Sequence, residues 1–308
     1  MKILVTGGAG FIASHIADAY INAGHSVAIV DNLSTGFEKN INPHAQCFKM
    51  DIRSEELQSA FAEFRPDVVN HHAAQMDVRK SVADPQFDAS VNILGGINLM
   101  ENCREFGVKK FIFASTGGAI YGEQDYFPAD EQHPLRPLSP YGIGKLTTEK
   151  YLFYYKEIFG LKNTILRYAN IYGPRQNAMG EAGVVAIFCT KMLQNEQPLI
   201  NGDGLQTRDY VFIEDVVQAN LLALNDANST EYNIGTGIET NVNELFHSIK
   251  KLCHSSVEEK HGEGKAGEQK RSVLTSQKIS TALGWKQTVN IQDGLSKTVE
   301  YFKNSQLK

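Results

Sequence analysis

Tyr141 and Lys145 are the residues whose types and spacing point most directly to chemistry. Ser139 suits a helix N-cap and Pro140 the first helical position, so this run predicts a helix whose first turn carries Tyr141 and Lys145 on one face. An unperturbed tyrosine has a pKa near ~10, but an ammonium one turn away and the positive helix end favour the phenolate. Such a tyrosine can take a hydroxyl proton, as hydroxyl–carbonyl redox chemistry requires. Because the same spacing often arises by chance on protein surfaces, the prediction needs support from the rest of the chain.

That support comes from the start of the sequence. An apolar run at residues 2–6 leads into Gly8 and Gly10, and Ala13 takes the third position of a dinucleotide-binding fingerprint. The glycines let the backbone approach a pyrophosphate, and the N-terminus of the following helix supplies amide donors to it. A second apolar run ends in Asp31, where an acid can bond a ribose 2′-hydroxyl. In this order the features predict a dinucleotide site, whereas the glycines alone would be typical of any tight turn.

The residues after Asp31 indicate which dinucleotide binds. Asn32 and Leu33 follow it, and no arginine stands next to them in the sequence to receive a 2′-phosphate. A 2′-phosphate would also meet the like charge of Asp31. The sequence therefore favours NAD over NADP as the cofactor.

The overall composition is that of an ordinary globular enzyme. The 308 residues are 42% hydrophobic and 21% charged, with a formal net charge of −5 and a pI near 6.0. Nothing in this balance indicates a nucleic-acid partner, and no apolar run approaches the ~18 residues of a membrane span. The first predicted strand begins at Lys2, which leaves no room for a signal peptide. We therefore expect a cytoplasmic protein that binds neither nucleic acid nor a membrane.

Cysteines and histidines do not form a metal motif in the sequence. The cysteines are scattered without close pairs, at Cys47, Cys103, Cys189 and Cys253. This spacing predicts reduced thiols rather than a disulfide framework or a metal site. His71 and His72 follow an apolar run, and adjacent strand residues face opposite ways, so we expect no metal between them.

Strand-like runs alternate with helical patterns through the first half of the chain. Strands are predicted at residues 2–6, 26–30, 46–49, 67–71, 110–114 and 163–167. Helices are predicted near 11–23, 54–64, 88–106 and 140–159. This alternation predicts an α/β fold with a Rossmann-type doubly wound parallel sheet, which binds ligands at the carboxyl ends of its strands.

The pattern changes after about residue 168, where glycine, proline and polar residues cluster. The expected elements are a helix near 181–194, a turn-rich segment at 201–210, a run at 231–234 that returns to the main sheet, and a loop from Glu258 to Arg271. We therefore expect a smaller C-terminal substrate-binding subdomain over the strand ends. On this interpretation residues 1–168, with return segments near 208–235, bind the dinucleotide, and residues 169–308 mainly form the substrate subdomain.

With these residues in view, the chain resembles the extended short-chain dehydrogenase/reductase family over essentially its whole length. Within that family it is most similar to the NAD-dependent nucleotide-sugar epimerases of the UDP-glucose 4-epimerase type. The shared motifs are Thr6 to Ile12, Asp31 to Gly36, Asp51-Ile52, His72 to Gln75, Ser115 to Gly122, Tyr141 with Lys145, Leu166 to Asn170, and Gly202-Asp203-Gly204 leading to Arg208-Asp209-Tyr210. Together they are specific for the superfamily and less specific for the substrate.

The resemblance implies where NAD would bind. Asp51 and Ile52 would close the adenine pocket. Ala73 and Ala74 would let the cofactor pass close to the backbone, and Asn92 would support the cofactor end of the site. The full set of implied cofactor contacts is Gly7, Gly10, Phe11, Ile12, Asp31, Asn32, Ser34, Thr35, Gly36, Asp51, Ile52, His72, Ala73, Ala74, Gln75, Asn92, Tyr141, Lys145, Tyr168 and Ala169.

The resemblance also implies a serine or threonine hydroxyl on the reacting oxygen of the sugar, beside Tyr141 and Lys145. Thr116 is the first choice for this catalytic role and Ser115 the second. Counting back from Tyr121, the family position could instead fall on Gly117, which has no hydroxyl.

On the substrate side, the resemblance implies that Asn170 contacts the substrate and that Arg208 binds a nucleotide diphosphate with its planar guanidinium. In many relatives a second arginine reaches the diphosphate from a late loop. That position holds Lys265 here, and Arg271 lies further on. Ser272 stands where a bulky tyrosine limits sugar size in some relatives, so it could leave room for an N-acetyl group. The implied substrate contacts are Thr116, Tyr141, Asn170, Gly183, Val184, Leu199, Asn201, Arg208, Lys265, Arg271 and Ser272.

The activity that the resemblance implies is epimerisation at C4 of a UDP-hexose through a 4-keto intermediate. A UDP-glucuronate 4-epimerase or decarboxylase is the alternative, with Arg79 or Lys80 near enough to meet a C6 carboxylate. A 4,6-dehydratase would need an acid and a base where Gly117 and Gly118 stand. A non-catalytic NAD-binding sensor is a further alternative, and the intact tyrosine–lysine pair argues against it.

The helix predicted near 140–159 also bears on assembly. Its segment from Tyr151 to Tyr155 is aromatic on nearly all sides, which one buried face cannot absorb. Relatives pair this helix, and the one predicted near 88–106, with their copies around a two-fold axis. We therefore expect a homodimer, the alternative being that the chain's own C-terminal parts cover the aromatic side chains.

Overall fold

A parallel sheet of seven strands forms the centre of the computed structural model, which describes residues 1–178, 183–264 and 269–306. The strands in chain order are β1 Lys2–Thr6, β2 Ser26–Asp31, β3 Gln46–Lys49, β4 Val68–His71, β5 Lys110–Thr116, β6 Lys162–Tyr168, β7 Asn170–Tyr172, β8 Ile200–Asn201, β9 Thr207–Phe212, β10 Glu231–Ile234, β11 Glu239–Asn241, β12 His261–Gly262 and β13 Arg271–Ser272. The central sheet has the order β10-β6-β5-β4-β1-β2-β3. The prediction of a doubly wound parallel sheet is confirmed, including the return of residues 231–234 to its edge.

Helices cover both faces of this sheet. They are α1 Phe11–Asn22, α2 Leu57–Phe64, α3 Val78–Ala83, α4 Pro85–Ala89, α5 Gly95–Glu105, α6 Gly117–Ile120, α7 Pro140–Phe159, α8 Val184–Leu193, α9 Ile213–Ala223, α10 Val242–Cys253, α11 Gln277–Leu283 and α12 Ile291–Gln306. A 3₁₀ turn occupies Glu38–Asn40, and a π-helical turn at Ser90–Leu94 joins α4 to α5. None of these described helices is both long and apolar enough to span a bilayer.

Helix α7 has the bounds that the sequence predicts, and its ends explain why. The Ser139 hydroxyl accepts a hydrogen bond from the Gly142 amide, and Pro140 occupies the first turn. At the other end Gly160 takes a left-handed conformation, with φ of 71°, that ends the helix.

Some boundaries differ from the sequence predictions. The helix expected near 88–106 begins earlier, at Pro85, because Asp84 caps it by accepting from the Phe87 amide. The segment expected to be turn-rich at 201–210 becomes strand from Thr207 onward, because β9 pairs with β7, β11 and β13. Helix α3 was not expected at all; Asp77 caps it by accepting from Lys80.

Apolar side chains fill both faces of the central sheet, as a parallel sheet requires. On one face β1, β5 and β6 pack with α1, α8 and α9 around Tyr20, Phe188 and Phe212. On the other face Leu4, Phe61 and Phe111 belong to a second core under α2, α5 and α7. The small sheet around β9 lies past the carboxyl end of β6. It is joined there by β7, which follows β6 after a single residue and pairs with β9. This arrangement places the C-terminal parts beside the strand ends where α/β sheets bind ligands.

Candidate active site

The turn between β1 and α1 approaches the end of β4 so closely that glycine is required there. Gly7 has a positive φ of 73°, and a β-carbon on it would lie 2.8 Å from the Ala73 amide nitrogen. A β-carbon on Gly8 would lie 2.6 Å from the Ile29 side chain. Gly10 begins helix α1 without a side-chain cap, and Phe11 and Ile12 form its half-buried first turn. The first amides of α1 therefore remain able to serve a pyrophosphate.

Asp31 lies at the carboxyl end of β2 and is tied to that turn. One of its oxygens accepts from the Ala9 amide at 2.9 Å, and the other accepts from the Leu33 amide at 2.8 Å. Gly36 brings the following loop back against Ala9, with Ser34 and Thr35 exposed on it. Each carboxylate oxygen has a second lone pair, so the buried Asp31 can still accept from a ribose hydroxyl.

The next acid, Asp51, is joined to Asn32 and to an arginine that the sequence analysis overlooked. Asn32 donates to Asp51 at 2.9 Å, and the Arg53 guanidinium pairs with the same carboxylate at 2.8 Å. The hydrogen bonds from Arg53 hold the pKa of Asp51 at about 2. Ile52 is buried next to Gly95, on which a β-carbon would lie 2.7 Å away. Arg53 is thus near the predicted adenine pocket in space, but its charge is already paired.

The two histidines at the end of β4 have separate partners on opposite sides. His71 exchanges a hydrogen bond with Thr6 at 2.8 Å, and His72 lies 3.1 Å from the Tyr168 hydroxyl and stacks on its ring. Burial lowers the pKa of His72 to about 3, and the charge of Lys145 acts in the same direction. No cluster of metal ligands occurs among the residues that the structure describes.

Past β4 the chain runs through the half-buried Ala73 and Ala74 into a buried amide and carboxylate network. Gln75 and Asn92 bond each other through the Gln75 main chain, at 3.0 Å and 2.9 Å. Both side-chain amides also donate to one oxygen of Asp88, at 2.9 Å and 3.0 Å. Asn92 lies in the π-helical turn, a feature that often marks functional sites.

Tyr141 and Lys145 lie one turn apart at the start of α7, as the sequence predicts. The Lys145 ammonium is buried, donates to the Ala114 carbonyl at 2.9 Å, and lies 5.9 Å from the centre of the Tyr141 ring. Burial lowers the pKa of Lys145 to about 8, while the charges of Asp88 and Glu149 oppose that shift. Tyr141 is half-buried, with its amide donating to the Ser81 hydroxyl. A partly accessible phenol beside a buried cation is the arrangement that a tyrosine base needs.

The structure separates the two candidate hydroxyls of β5. Ser115 is buried and donates to Glu149 at 2.5 Å, on the side of the strand away from Thr116. Thr116 is half-buried, and its hydroxyl lies 3.9 Å from the place of a β-carbon on Gly118. The Asn170 side-chain oxygen lies 3.8 Å from the same point, so Thr116 and Asn170 face one space. This geometry favours Thr116 and argues against Ser115 as the hydroxyl that meets a substrate.

Gly117, the other position to which the family register points, has no room for a side chain. A β-carbon there would lie 2.3 Å from the Leu274 side chain, inside a small buried core with Ile120 and Tyr121. The residue therefore serves the packing of α6 against the C-terminal part of the chain.

The Ser115 hydroxyl belongs to a buried network below the site. Arg167 pairs with both oxygens of Glu149, at 2.7 Å and 3.1 Å, and donates to the Tyr121 hydroxyl at 3.1 Å. Burial lowers the pKa of Arg167, but its hydrogen bonds to Glu149 outweigh that effect and raise it. Sequence analysis missed this pair, although a charged residue inside a buried strand is itself a signal that a buried partner exists.

Arg208 and Ser272 are brought together in the small sheet. They are register partners on the parallel strands β9 and β13, so their side chains lie on the same face. Arg208 is half-buried and donates to the Thr207 carbonyl at 2.7 Å, and Ser272 is buried. Because Ser272 is buried, a larger side chain there would have to displace its neighbours.

Arg271 does not share that face, because it precedes Ser272 on the same strand. Its guanidinium pairs with Glu239 at 2.7 Å and 2.9 Å and stacks over the Phe127 ring at 3.7 Å. This geometry argues against the expectation that Arg271 contacts a diphosphate. Lys265, the other candidate, lies outside the described residues.

The remaining predicted substrate residues lie around the small sheets. Gly183 precedes α8 in contact range of Gln176, and Val184 opens that helix. Leu199 is exposed just before β8, and Asn201 ends that strand, where its carbonyl accepts from Gln206. Ala169, a predicted cofactor residue, is half-buried between β6 and β7. The site residues thus follow the carboxyl ends of β1, β2, β4, β5 and β6, where a parallel sheet binds its ligands.

The chain is similar in sequence and in fold to proteins of known family. Residues 3–235 match the model of the NAD dependent epimerase/dehydratase family. Over 310 residues the chain is 41% identical to the UDP-glucose 4-epimerase of Mycolicibacterium smegmatis, covering 99% of each protein. The fold is similar to that of the Thermotoga maritima UDP-glucose 4-epimerase with UDP-glucose, with a TM-score of 0.98, 48% identity, and 99% and 100% of the two chains covered. It is also similar to the Thermus thermophilus UDP-glucose 4-epimerase in complex with NAD, with a TM-score of 0.94, 44% identity, and 99% and 100% covered.

Proposed function

The chain belongs to the NAD-dependent epimerase/dehydratase family, and from this premise we propose that it interconverts UDP-glucose and UDP-galactose by epimerisation at C4. It is an isomerase whose cofactor is NAD. The observation that carries the proposal is the buried Lys145 ammonium, which lies beside the Tyr141 ring at the carboxyl end of the sheet. The first turn of α1, the close approach at Gly7 and the Asp31 carboxylate fit an NAD at the same edge.

Tyr141, Lys145 and Thr116 have separate roles in the reaction at C4. The Lys145 ammonium favours the phenolate form of Tyr141. The phenolate takes the proton of the C4 hydroxyl and later returns it. The Thr116 hydroxyl orients the C4 oxygen from the end of β5. A bound NAD would supply the acceptor and the donor of the C4 hydride, so the reaction would need no second substrate. Net inversion requires the 4-keto sugar to present its other face before the hydride returns.

Turning the sugar requires that the nucleotide stay bound meanwhile. Arg208 suits this task, since its guanidinium can hold a diphosphate by charge-assisted hydrogen bonds. Asn170 lies beside Thr116 and can contact the hexose. We propose Lys265 as the second cation of the diphosphate site on the family resemblance alone, since it lies outside the described residues.

The N-acetylated pair, UDP-N-acetylglucosamine and UDP-N-acetylgalactosamine, is a second candidate substrate class. It is supported by Ser272, a small residue on the same face as Arg208, where some relatives carry a bulky tyrosine. Because Ser272 is buried, neighbouring side chains have to move to admit an acetamido group. Admitting an acetamido group needs space more than new bonds, so we expect both pairs to be used within about tenfold in kcat/KM. A protein that epimerises UDP-glucose and leaves UDP-N-acetylglucosamine untouched would contradict this second assignment.

Three further assignments belong to the same proposal. We assign residues 1–168, with return segments near 208–235, to NAD binding and residues 169–308 mainly to the sugar nucleotide. A homodimer through α5 and α7 is supported by exposed apolar side chains on α7, namely Phe153, Tyr154 and Ile158. A cytoplasmic location is supported by the four cysteines, which form no disulfide.

The test of the activity is a panel of UDP-glucose, UDP-N-acetylglucosamine, UDP-glucuronate and their C4 epimers, with products resolved by chromatography and no NAD added. Tyr141→Phe is the matched variant, because it keeps the ring and removes the base. We expect turnover to fall by roughly 10²–10⁴ with NAD still bound, the usual range for one acid–base group. Near-normal turnover in that variant would refute the role of Tyr141. Products only from UDP-glucuronate would refute the assignment of UDP-glucose and UDP-galactose as substrates. Light scattering tests the dimer, and a 34.1 kDa species would contradict it.

A further inference from the structure

Two buried carboxylates act electrostatically on the buried Lys145, and they differ in how their own charge is balanced. Glu149, one turn along α7, forms a bidentate ion pair with Arg167. Asp88, on α4, accepts from the neutral amides of Gln75 and Asn92. Asp88 has no lysine or arginine ion-pair partner among the residues that the structure describes. The charge of Glu149 is therefore largely matched locally, whereas that of Asp88 is available to act on Lys145.

Asp88 is held against the start of α7 by shape as well as by hydrogen bonds. Its other oxygen lies 3.3 Å from the place of a β-carbon on Gly144, the residue before Lys145. Asn92 lies 3.4 Å from the same point, so the glycine lets the π-helical turn and α4 approach the catalytic helix. Asp88 is 1% exposed, and a charge at such depth is weakly screened by solvent.

The other groups around Lys145 cannot supply this charge. The ammonium donates to the Ala114 carbonyl and lies over the Phe113 ring. Burial lowers the pKa of His71 and of His72, so both are neutral near pH 7. Tyr141 is the group whose phenolate form Lys145 favours in the proposed reaction, so it is the target of the Lys145 charge.

We propose that Asp88 is a positioning residue, whose buried carboxylate, fixed by Gln75 and Asn92 against α7, keeps Lys145 protonated beside Tyr141. It touches neither the reacting sugar nor the proton that Tyr141 transfers, and it acts through Lys145. Burial alone would drive the Lys145 ammonium towards its neutral form. A neutral Lys145 would no longer favour the Tyr141 phenolate, so the consequence for activity rests on the function proposed above.

Asp88→Asn isolates the charge, since the asparagine oxygen can still accept from both amides. Asp84→Asn is the matched control, because Asp84 is an exposed acid that caps the same helix and asparagine caps equally well. The measurement is an NMR titration of the Lys145 Nζ resonance in lysine-labelled protein with its NAD bound, assigned with a Lys145→Arg variant. We expect the midpoint to fall by about one pH unit or more in Asp88→Asn, a tenfold change in proton affinity, and to stay unchanged in Asp84→Asn.

The alkaline limb of kcat should move to lower pH by the same amount in Asp88→Asn, with the unfolding temperature and bound NAD retained. Asp88→Ser, which leaves room for a water beside the amides, serves as the second variant if the first fails to fold. An unchanged Lys145 titration in the folded variant would overturn the proposal, as would an equal shift in Asp84→Asn. The titration needs no substrate, so it decides the role of Asp88 even if every UDP-sugar in the panel proves inert.

Discussion

The cofactor side and the substrate side of this molecule hold their functional residues in different ways. Asp31 ends the strand β2 and is fixed by the Ala9 amide of the turn after β1, and Lys145 on α7 donates to the Ala114 carbonyl in β5. Arg208 and Ser272 lie in a small sheet, Arg208 on its inner strand β9 and Ser272 on the edge strand β13, which has only two residues. The residues proposed for catalysis and cofactor binding are thus fixed by the core of the fold. The residues proposed for substrate recognition lie on short elements whose sequence can change without disturbing that core.

The strongest test of this contrast is the buried pair below the site. Glu149→Gln leaves the Arg167 charge buried without its partner, which we expect to cost about 3–5 kcal/mol of unfolding free energy. On the substrate side, Arg208→Gln should change the unfolding free energy by less than about 0.5 kcal/mol, as for most partly exposed positions. Denaturant unfolding of both variants makes the comparison. Equal losses would mean that the small sheet is as integral to stability as the core.

The second test concerns the two hydroxyls at the end of β5. Thr116→Val keeps the shape but removes the donor to the C4 oxygen, so kcat should fall by roughly 10²–10³. Ser115→Ala removes a donor to Glu149, so it should leave kcat within about threefold and cost about 1 kcal/mol of stability. Steady-state kinetics and thermal unfolding on both variants separate the roles. A larger kcat loss in Ser115→Ala than in Thr116→Val would reverse the assignment.

The third test compares two arginines on opposite faces of the small sheet. Arg208→Ala should raise the KM for the UDP-sugar by about 10- to 100-fold, because a charge-assisted hydrogen bond is worth about 1.5–3 kcal/mol. Arg271→Ala should change KM by less than about threefold, because its guanidinium is engaged by Glu239 and Phe127. If Arg271→Ala has the larger effect on KM, the diphosphate lies on the other face of β13.

How much of this site could be predicted from the sequence depends on the distance between partners along the chain. Gly7 and the Tyr141–Lys145 pair are local patterns whose geometry follows from a turn or one helical turn, so their placement could be predicted. Strand alternation indicates that Ser115 and Thr116 face opposite sides, but not which side meets the substrate. That choice depends on Glu149, which reaches Ser115 only through the packing of α7 on β5.

Contacts that depend on how separate loops and helices pack were harder to predict from the sequence than these local patterns. Arg53 pairs with a near neighbour, but its closeness to Asn32 depends on how the loops after β2 and β3 meet. The sequence around Asp88 predicts the start of an amphipathic helix and gives no indication that the Asp88 carboxylate is buried. Its burial follows from the approach of Gly144 on a distant helix. A glycine inside the predicted catalytic helix was the one available hint that another element comes close there.

The smallest expected effect concerns the choice between NAD and NADP on the cofactor side. A 2′-phosphate would meet the Asp31 carboxylate, and Arg53 is paired with Asp51, so NAD should bind at least about tenfold better, or about 1.4 kcal/mol. Asp31→Ala should narrow that gap. It also removes the acceptor of the Ala9 and Leu33 amides, so affinity for NAD should fall as well. Calorimetry on protein freed of nucleotide measures both affinities. Equal binding of NAD and NADP by the unmodified protein would show that Arg53 can leave Asp51 for the phosphate, and that the cofactor side is less fixed than its hydrogen bonds indicate.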